Sequence, residues 1–75
     1  MHQRLPALRA REVIRALERA GFTLHHQTGS HAILYKTGHP RPVSVPMHPG
    51  DLKRGLLMGI LKDAGLSPEE FTELL

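Results

Sequence analysis

Phe22-Thr23-Leu24-His25-His26-Gln27-Thr28-Gly29-Ser30-His31-Ala32-Ile33-Leu34-Tyr35-Lys36 is the stretch on which the fold turns. Its first six residues alternate with period two at Phe22, Leu24 and His26, the spacing of a strand with one face on a core. On that period His25 and His26 fall on opposite faces. Thr28-Gly29 supplies turn residues, and a second alternating run follows, with His31, Ile33 and Tyr35 on one face and Ala32, Leu34 and Lys36 on the other. Outward from this hairpin, Thr37 to Arg41 contains Gly38 and Pro40 and turns the chain again. Val43-Ser44-Val45 then reads as a short third strand closed by Pro46.

Helices flank the meander. From Ala10 to Ala20 the apolar positions Ala10, Val13, Ile14 and Leu17 recur at helical spacing, and Gly21 is placed to end the helix in a left-handed conformation. Leu52, Leu56, Leu57, Ile60, Leu61 and Ala64 repeat the pattern before Gly65. This second helix begins either at Leu52, after an Asp51 cap, or only beyond Gly55. Ser67-Pro68-Glu69-Glu70 places a capping serine, a first-turn proline and a returning glutamate ahead of a short last helix through Phe71 and Leu74. The expected fold is α+β, in α-β-β-β-α order with a short C-terminal helix. A three-stranded antiparallel sheet is covered by helices on one face and open on the other. That order is also the order of double-stranded-RNA-binding domains. At 75 residues the chain has room for one domain, residues 1–75, with a thin core.

Composition narrows the classes. The chain has no cysteine, which excludes a disulfide scaffold and the common structural zinc patterns. The longest apolar run, Leu56 to Leu61, is broken by Gly59 and is far too short for a membrane span or signal core. The expectation is a soluble protein of the cytoplasm with no membrane partner. Phe22, Tyr35 and Phe71 are the only aromatic residues of the Phe, Trp and Tyr set, too few for a sequence-tolerant platform of stacked bases. Charge is split along the chain: residues 1–54 hold nine Lys or Arg against three acids, a net of +6, and residues 55–75 hold one against four, a net of −3. A basic body favours polyanions such as nucleic acid, through phosphate attraction and counterion release. The same charge also serves simply to solvate a small domain.

Ala20-Gly21-Phe22, Gln27-Thr28-Gly29-Ser30-His31, Val45-Pro46-Met47-His48, Leu52-Lys53-Arg54-Gly55-Leu56 and Ile60-Leu61-Lys62-Asp63-Ala64-Gly65-Leu66 follow one another in this order. Together they resemble the HicA toxin family over almost the whole chain. The resemblance implies a double-stranded-RNA-binding-like fold, cleavage of messenger RNA without a cofactor, and neutralisation by a HicB-type antitoxin. It places the family's catalytic histidine on His31, with Gly29 and Ser30 as its companions. The chain departs from the family at Arg9, where Ser or Thr often caps the first helix, and at Leu56, where a hydroxyl residue often follows the glycine.

The residues support that chemistry in their own terms. RNA carries its own nucleophile, the 2′-hydroxyl, so scission needs a base for that proton, an acid for the leaving 5′-oxygen and positive charge near the phosphate. His31 is the candidate catalytic base or, once protonated, acid. Ser30 offers a hydroxyl and an amide to a phosphate oxygen, and His48, in a loop after Pro46, is a candidate second acid or phosphate ligand. Gly29 lets the turn adopt unusual angles and lets an RNA backbone approach closely. Lys36, Arg41, Arg11 and Arg15 are candidate phosphate contacts, each of which reads equally as ordinary surface charge. Arg11, Arg15 and Arg19, four apart, form the basic stripe of the first helix. His2 lies at the chain's start. No His-x-x-x-His pair is present, so no metal site is expected. Two other classes remain open: a non-catalytic module that binds duplex RNA by shape, and a protein-interaction domain that docks a partner through the open sheet face or through Phe71 and Leu74 of the acidic last helix.

Overall fold

A computed structural model describes residues 5–75, so His2 lies outside the described residues. The elements run α1 (Ala10–Arg19), β1 (Thr23–Gln27), β2 (His31–Tyr35), β3 (Val43–Pro46), α2 (Arg54–Ala64) and α3 (Pro68–Glu73). The strands form one antiparallel sheet in the order β1-β2-β3. Ala32 and Leu34 of β2 and Val43 and Val45 of β3 point into the core, where they meet Val13 and Leu17 of α1 and Leu57, Ile60 and Leu61 of α2. The period-two alternation therefore puts His31, Ile33 and Tyr35 on the opposite, uncovered face. The α+β order and the sheet with helices on one face are as the sequence leads one to expect.

Helix ends follow local chemistry. After Ala20, Gly21 takes φ 103. The amide of Gly21 then donates to Glu18 O and that of Phe22 to Leu17 O, both at 3.0 Å. This is the paired closure of a left-handed glycine terminus, with Phe22 packed into the core beside Leu17. Arg9 has no acceptor to offer as a cap, yet α1 still starts at Ala10, because Glu12 reaches back to accept the Arg9 amide at 3.0 Å. At α3 both halves of the capping box form, with the Ser67 amide on Glu70 at 2.8 Å and the Glu70 amide on Ser67 Oγ at 3.0 Å.

Three expectations need correction. α2 begins at Arg54, neither at Leu52 nor beyond Gly55. The backbone at Asp51 pairs with Arg9, and the Leu52 amide donates to Leu8 O at 2.8 Å, which holds this segment extended until Lys53. Leu52 is core but not helix. β1 does not keep period two, because its pairing shifts between Leu24 and His26: Leu24 opposes Leu34 while His26 opposes Ile33. Such a bulge puts two successive side chains on one side of the sheet. His26 thus sits on the open face, and so does His25, whose ring meets that of Tyr35 at 4.8 Å. Leu24 belongs to the covered side, but at the sheet edge it stays 36% exposed. Finally, Phe71 is 0% exposed and locks α3 onto the core, so it is not free to dock a partner.

Candidate active site

The β1–β2 turn is organised by one hydroxyl. Thr28 Oγ1 accepts from the amide of Ser30 at 3.2 Å and from that of His31 at 3.0 Å, while the Thr28 amide donates to His31 O at 2.9 Å. A threonine that binds the backbone two and three residues on is a local alternative to regular structure, here closing a hairpin. Ser30 Oγ lies 3.2 Å from His31 Nδ1 and 3.4 Å from Thr28 Oγ1. With the proton on Nδ1, the ring donates to Ser30 Oγ and leaves the lone pair of Nε2 pointing away from the turn. His31 is exposed at the start of β2, opposite Pro46. A fixed, solvent-facing imidazole is what proton transfer on a bound ligand requires.

Gly29 carries no left-handed φ, and a Cβ placed there would meet nothing within 4 Å. The turn therefore closes without a left-handed residue at Gly29, with the Thr28 hydroxyl accepting the Ser30 and His31 amides. What remains is open space on the outside, the close approach a ligand backbone would use.

Several basic groups gather at this end of the sheet. The Met47 amide donates to Ser30 O at 2.7 Å, which ties the loop after β3 to the turn that carries His31. From there His48 lines an open groove of about 480 Å³ with Arg9, Arg11, Glu12 and Met47, into which the N-terminal, positive end of α1 opens. Arg9 and Arg11 thus share the groove with His48, whereas Arg54, at the start of α2, lines a different depression with Leu5, Pro6 and Ala7. Arg15 lies a turn further along α1, in a separate depression with Glu12, Arg19 and Leu75. Lys36 and Arg41 sit at the opposite end of the sheet. Five residues of strand at roughly 3.3 Å each separate the backbones of His31 and Lys36 by about 16 Å. Lys36 Nζ stands 5.6 Å from the Phe22 ring centroid, and Arg41 is 3.6 Å from Asp63. The structure thus brings Gly29, Ser30 and His31 into one turn, ties it to the loop bearing His48, and leaves Lys36 and Arg41 remote.

Sequence reading treated Thr28 as a turn former and passed over its role as acceptor for two amides; a hydroxyl two residues before Ser30 and three before His31 was the available signal. It also passed over His39, which is structural. His39 Nε2 donates to Asp63 O at 2.6 Å, and its ring meets Phe22 edge-on at 5.3 Å, pinning the β2–β3 turn to the end of α2. A third signal lay in what is missing: from residue 19 to residue 50 there is no Asp or Glu at all. That stretch makes the whole sheet and both its turns. Among the described residues no polar or charged side chain is buried and no group of three His, Cys, Asp or Glu is placed to hold a metal ion.

The fold and this exposed histidine turn define a small α+β protein whose sheet carries no acidic residue. The model of the family described as the HicA toxin of bacterial toxin-antitoxin systems matches residues 10–66, from the start of α1 to just past α2, and the chain belongs to that family. It is thus a toxin of a toxin-antitoxin system, with a cognate antitoxin as partner. No curated protein matches the chain. No helix among the described residues is long and apolar enough to cross a membrane.

Proposed function

We propose that this toxin is an endoribonuclease that cuts messenger RNA in the cytoplasm, with His31 as its proton-transfer residue. The observation that carries the reading is the His31 ring itself: exposed, oriented through Nδ1 by Ser30 Oγ at 3.2 Å, and held at its backbone by Thr28. In the reaction Nε2 of His31 takes the proton of a ribose 2′-hydroxyl. The 2′-oxygen forms a bond to the adjacent phosphorus, the bond to the 5′-oxygen breaks, and that oxygen takes a proton from a second donor, for which His48 is the candidate. The products are a 2′,3′-cyclic phosphate and a 5′-hydroxyl. Arg9 and Arg11 supply positive charge along the groove on the side of α1. The chemistry draws on no cofactor, because substrate provides the nucleophile.

The antitoxin on this reading is of the HicB type. A chain this small has little to spare for a lid, so inhibition is simplest if an acidic partner surface covers the histidine turn and the neighbouring arginines. The test is cleavage of RNA by purified protein and by His31→Ala, each in the presence of a chelator. General acid–base catalysis is worth about 10²- to 10⁴-fold, so the variant is expected to lose that much activity while keeping its melting temperature and its antitoxin. Cleavage by the variant at the parental rate would overturn the assignment. RNA binding without cleavage by the parent protein would leave a binding module.

A further inference from the structure

Apart from His31, the open face of the sheet takes no part in the chemistry above, and its composition is unusual. It presents Thr23, His25, His26, His31, Tyr35 and Ser44, all exposed, with Ile33 and Pro46 as its two partly buried aliphatic residues. Tyr35 is 47% exposed, and the imidazole of His25 stands edge-on to it, with centroids 4.8 Å apart and planes at 80°. The bulge in β1 is what brings His25 round to this face. Two crossed rings form an L-shaped corner, against which a planar ligand can lie flat on one ring and touch the other with its edge. Because no carboxylate occurs between residues 19 and 50, nothing on the strands repels phosphate.

We infer that His25 and Tyr35 form a base-stacking subsite for single-stranded RNA, lying along β2 from His31 on the open sheet face. The inference rests on the proposed ribonuclease reading for its register. His31 and Tyr35 are on the same face four residues apart, about 13 Å along the strand. A single strand with its scissile ribose at His31 therefore lays a base about two or three nucleotides away on the Tyr35 ring, the span over which open sheets stack bases in other RNA-binding modules. The count of Phe, Trp and Tyr alone argues against an extended stacking platform. One corner needs only Tyr35 and a histidine, which that count omits. Composition favours RNA over a protein as the occupant, since the face offers rings and hydroxyls, no carboxylate and little exposed aliphatic surface.

The experiment compares the parent protein, Tyr35→Ala, Tyr35→Phe and His25→Ala on two substrates: a single-stranded hexanucleotide, and a dinucleotide containing only the scissile bond. Stacking of one base is worth roughly five- to hundredfold in affinity. Tyr35→Ala is expected to raise KM for the hexanucleotide by that factor with little change in kcat. Tyr35→Phe is expected to restore the parental KM, and none of the three is expected to alter dinucleotide cleavage. Direct binding of the hexanucleotide to His31→Ala, with and without Tyr35→Ala, reads the subsite without cleavage, so a failure of the nuclease reading is distinguished from a failure of this one. Melting curves check folding, and His25→Ala stands in if Tyr35→Ala does not fold. Unchanged KM and unchanged binding in the alanine variants would overturn the proposal, as would loss of antitoxin binding alone, which would make the face a protein-docking surface.

Discussion

Replacing Thr28 by valine removes one oxygen and keeps the β-branched shape, so it isolates the hydroxyl that organises the histidine turn. Thr28 Oγ1 accepts two amides, from Ser30 at 3.2 Å and His31 at 3.0 Å. A net hydrogen bond is worth about 0.5–1.5 kcal/mol, which makes about 1–3 kcal/mol the upper bound for two. The turn is exposed, and water can replace either partner, so the lower end applies, about 1 kcal/mol. For a domain of this size that corresponds to a fall in melting temperature of roughly 4–8 °C. The effect should be concentrated in the turn: amide exchange at Ser30 and His31 should quicken about fivefold in Thr28→Val, by the Boltzmann factor for 1 kcal/mol. Thr28→Ser returns the acceptor and should return the protection. Exchange measured residue by residue on the three proteins decides the matter. If Ser30 and His31 are equally protected in all three, the hydroxyl does not hold the turn, and the ordering ascribed to His31 has another origin.

Gly29→Ala meets no atom within 4 Å and no left-handed φ, so its melting temperature should be unchanged or slightly raised, whereas RNA cleavage should fall if a ligand backbone uses that space; paired melts and cleavage rates check both. Phe71→Ala empties a fully buried site and should cost about 3–5 kcal/mol. Against a total near 4–11 kcal/mol for 75 residues, chemical denaturation should find the variant close to unfolding. The amide and hydroxyl of Ser67 hold the Glu70 carboxyl below its ordinary value. A depressed carboxyl contributes stability that is present above its unfolded value and is lost as pH falls through the folded one. The difference in melting temperature between the parent and Glu70→Gln should therefore be largest at neutral pH and shrink in acid.

Element order was legible because each signal was local. Gly21 and Gly65 end helices where only a left-handed residue fits, Ser67-Pro68-Glu69-Glu70 spells a cap, and Ala32, Leu34, Val43 and Val45 alternate as a one-sided sheet must. The misses were non-local. The start of α2 depends on Asp51 pairing with Arg9, forty-two positions earlier in the chain, and no window around Leu52 contains that information. The bulge at His25 depends on how β1 registers against β2, so strict period two sent His25 and His26 to opposite faces. In the candidate site, Gly29, Ser30 and His31 were readable as contiguous residues of one turn. The remoteness of Lys36 and Arg41 was not, since only strand direction puts them at the far end of the sheet. Arg41 instead meets Asp63, an exposed pair of the kind worth under about 1 kcal/mol.

The central claim is that an oriented imidazole at the head of β2 draws the proton from the 2′-hydroxyl that attacks the scissile phosphate. Its most direct measurement is cleavage of an oligonucleotide carrying a single 2′-deoxy sugar at the bond the parent protein cuts, followed at single-bond resolution. The account predicts that this bond survives while the all-ribose control is cut to a 2′,3′-cyclic phosphate end. Cutting at the deoxy position at an undiminished rate would mean that another nucleophile does the work, and the role given to His31 would be wrong.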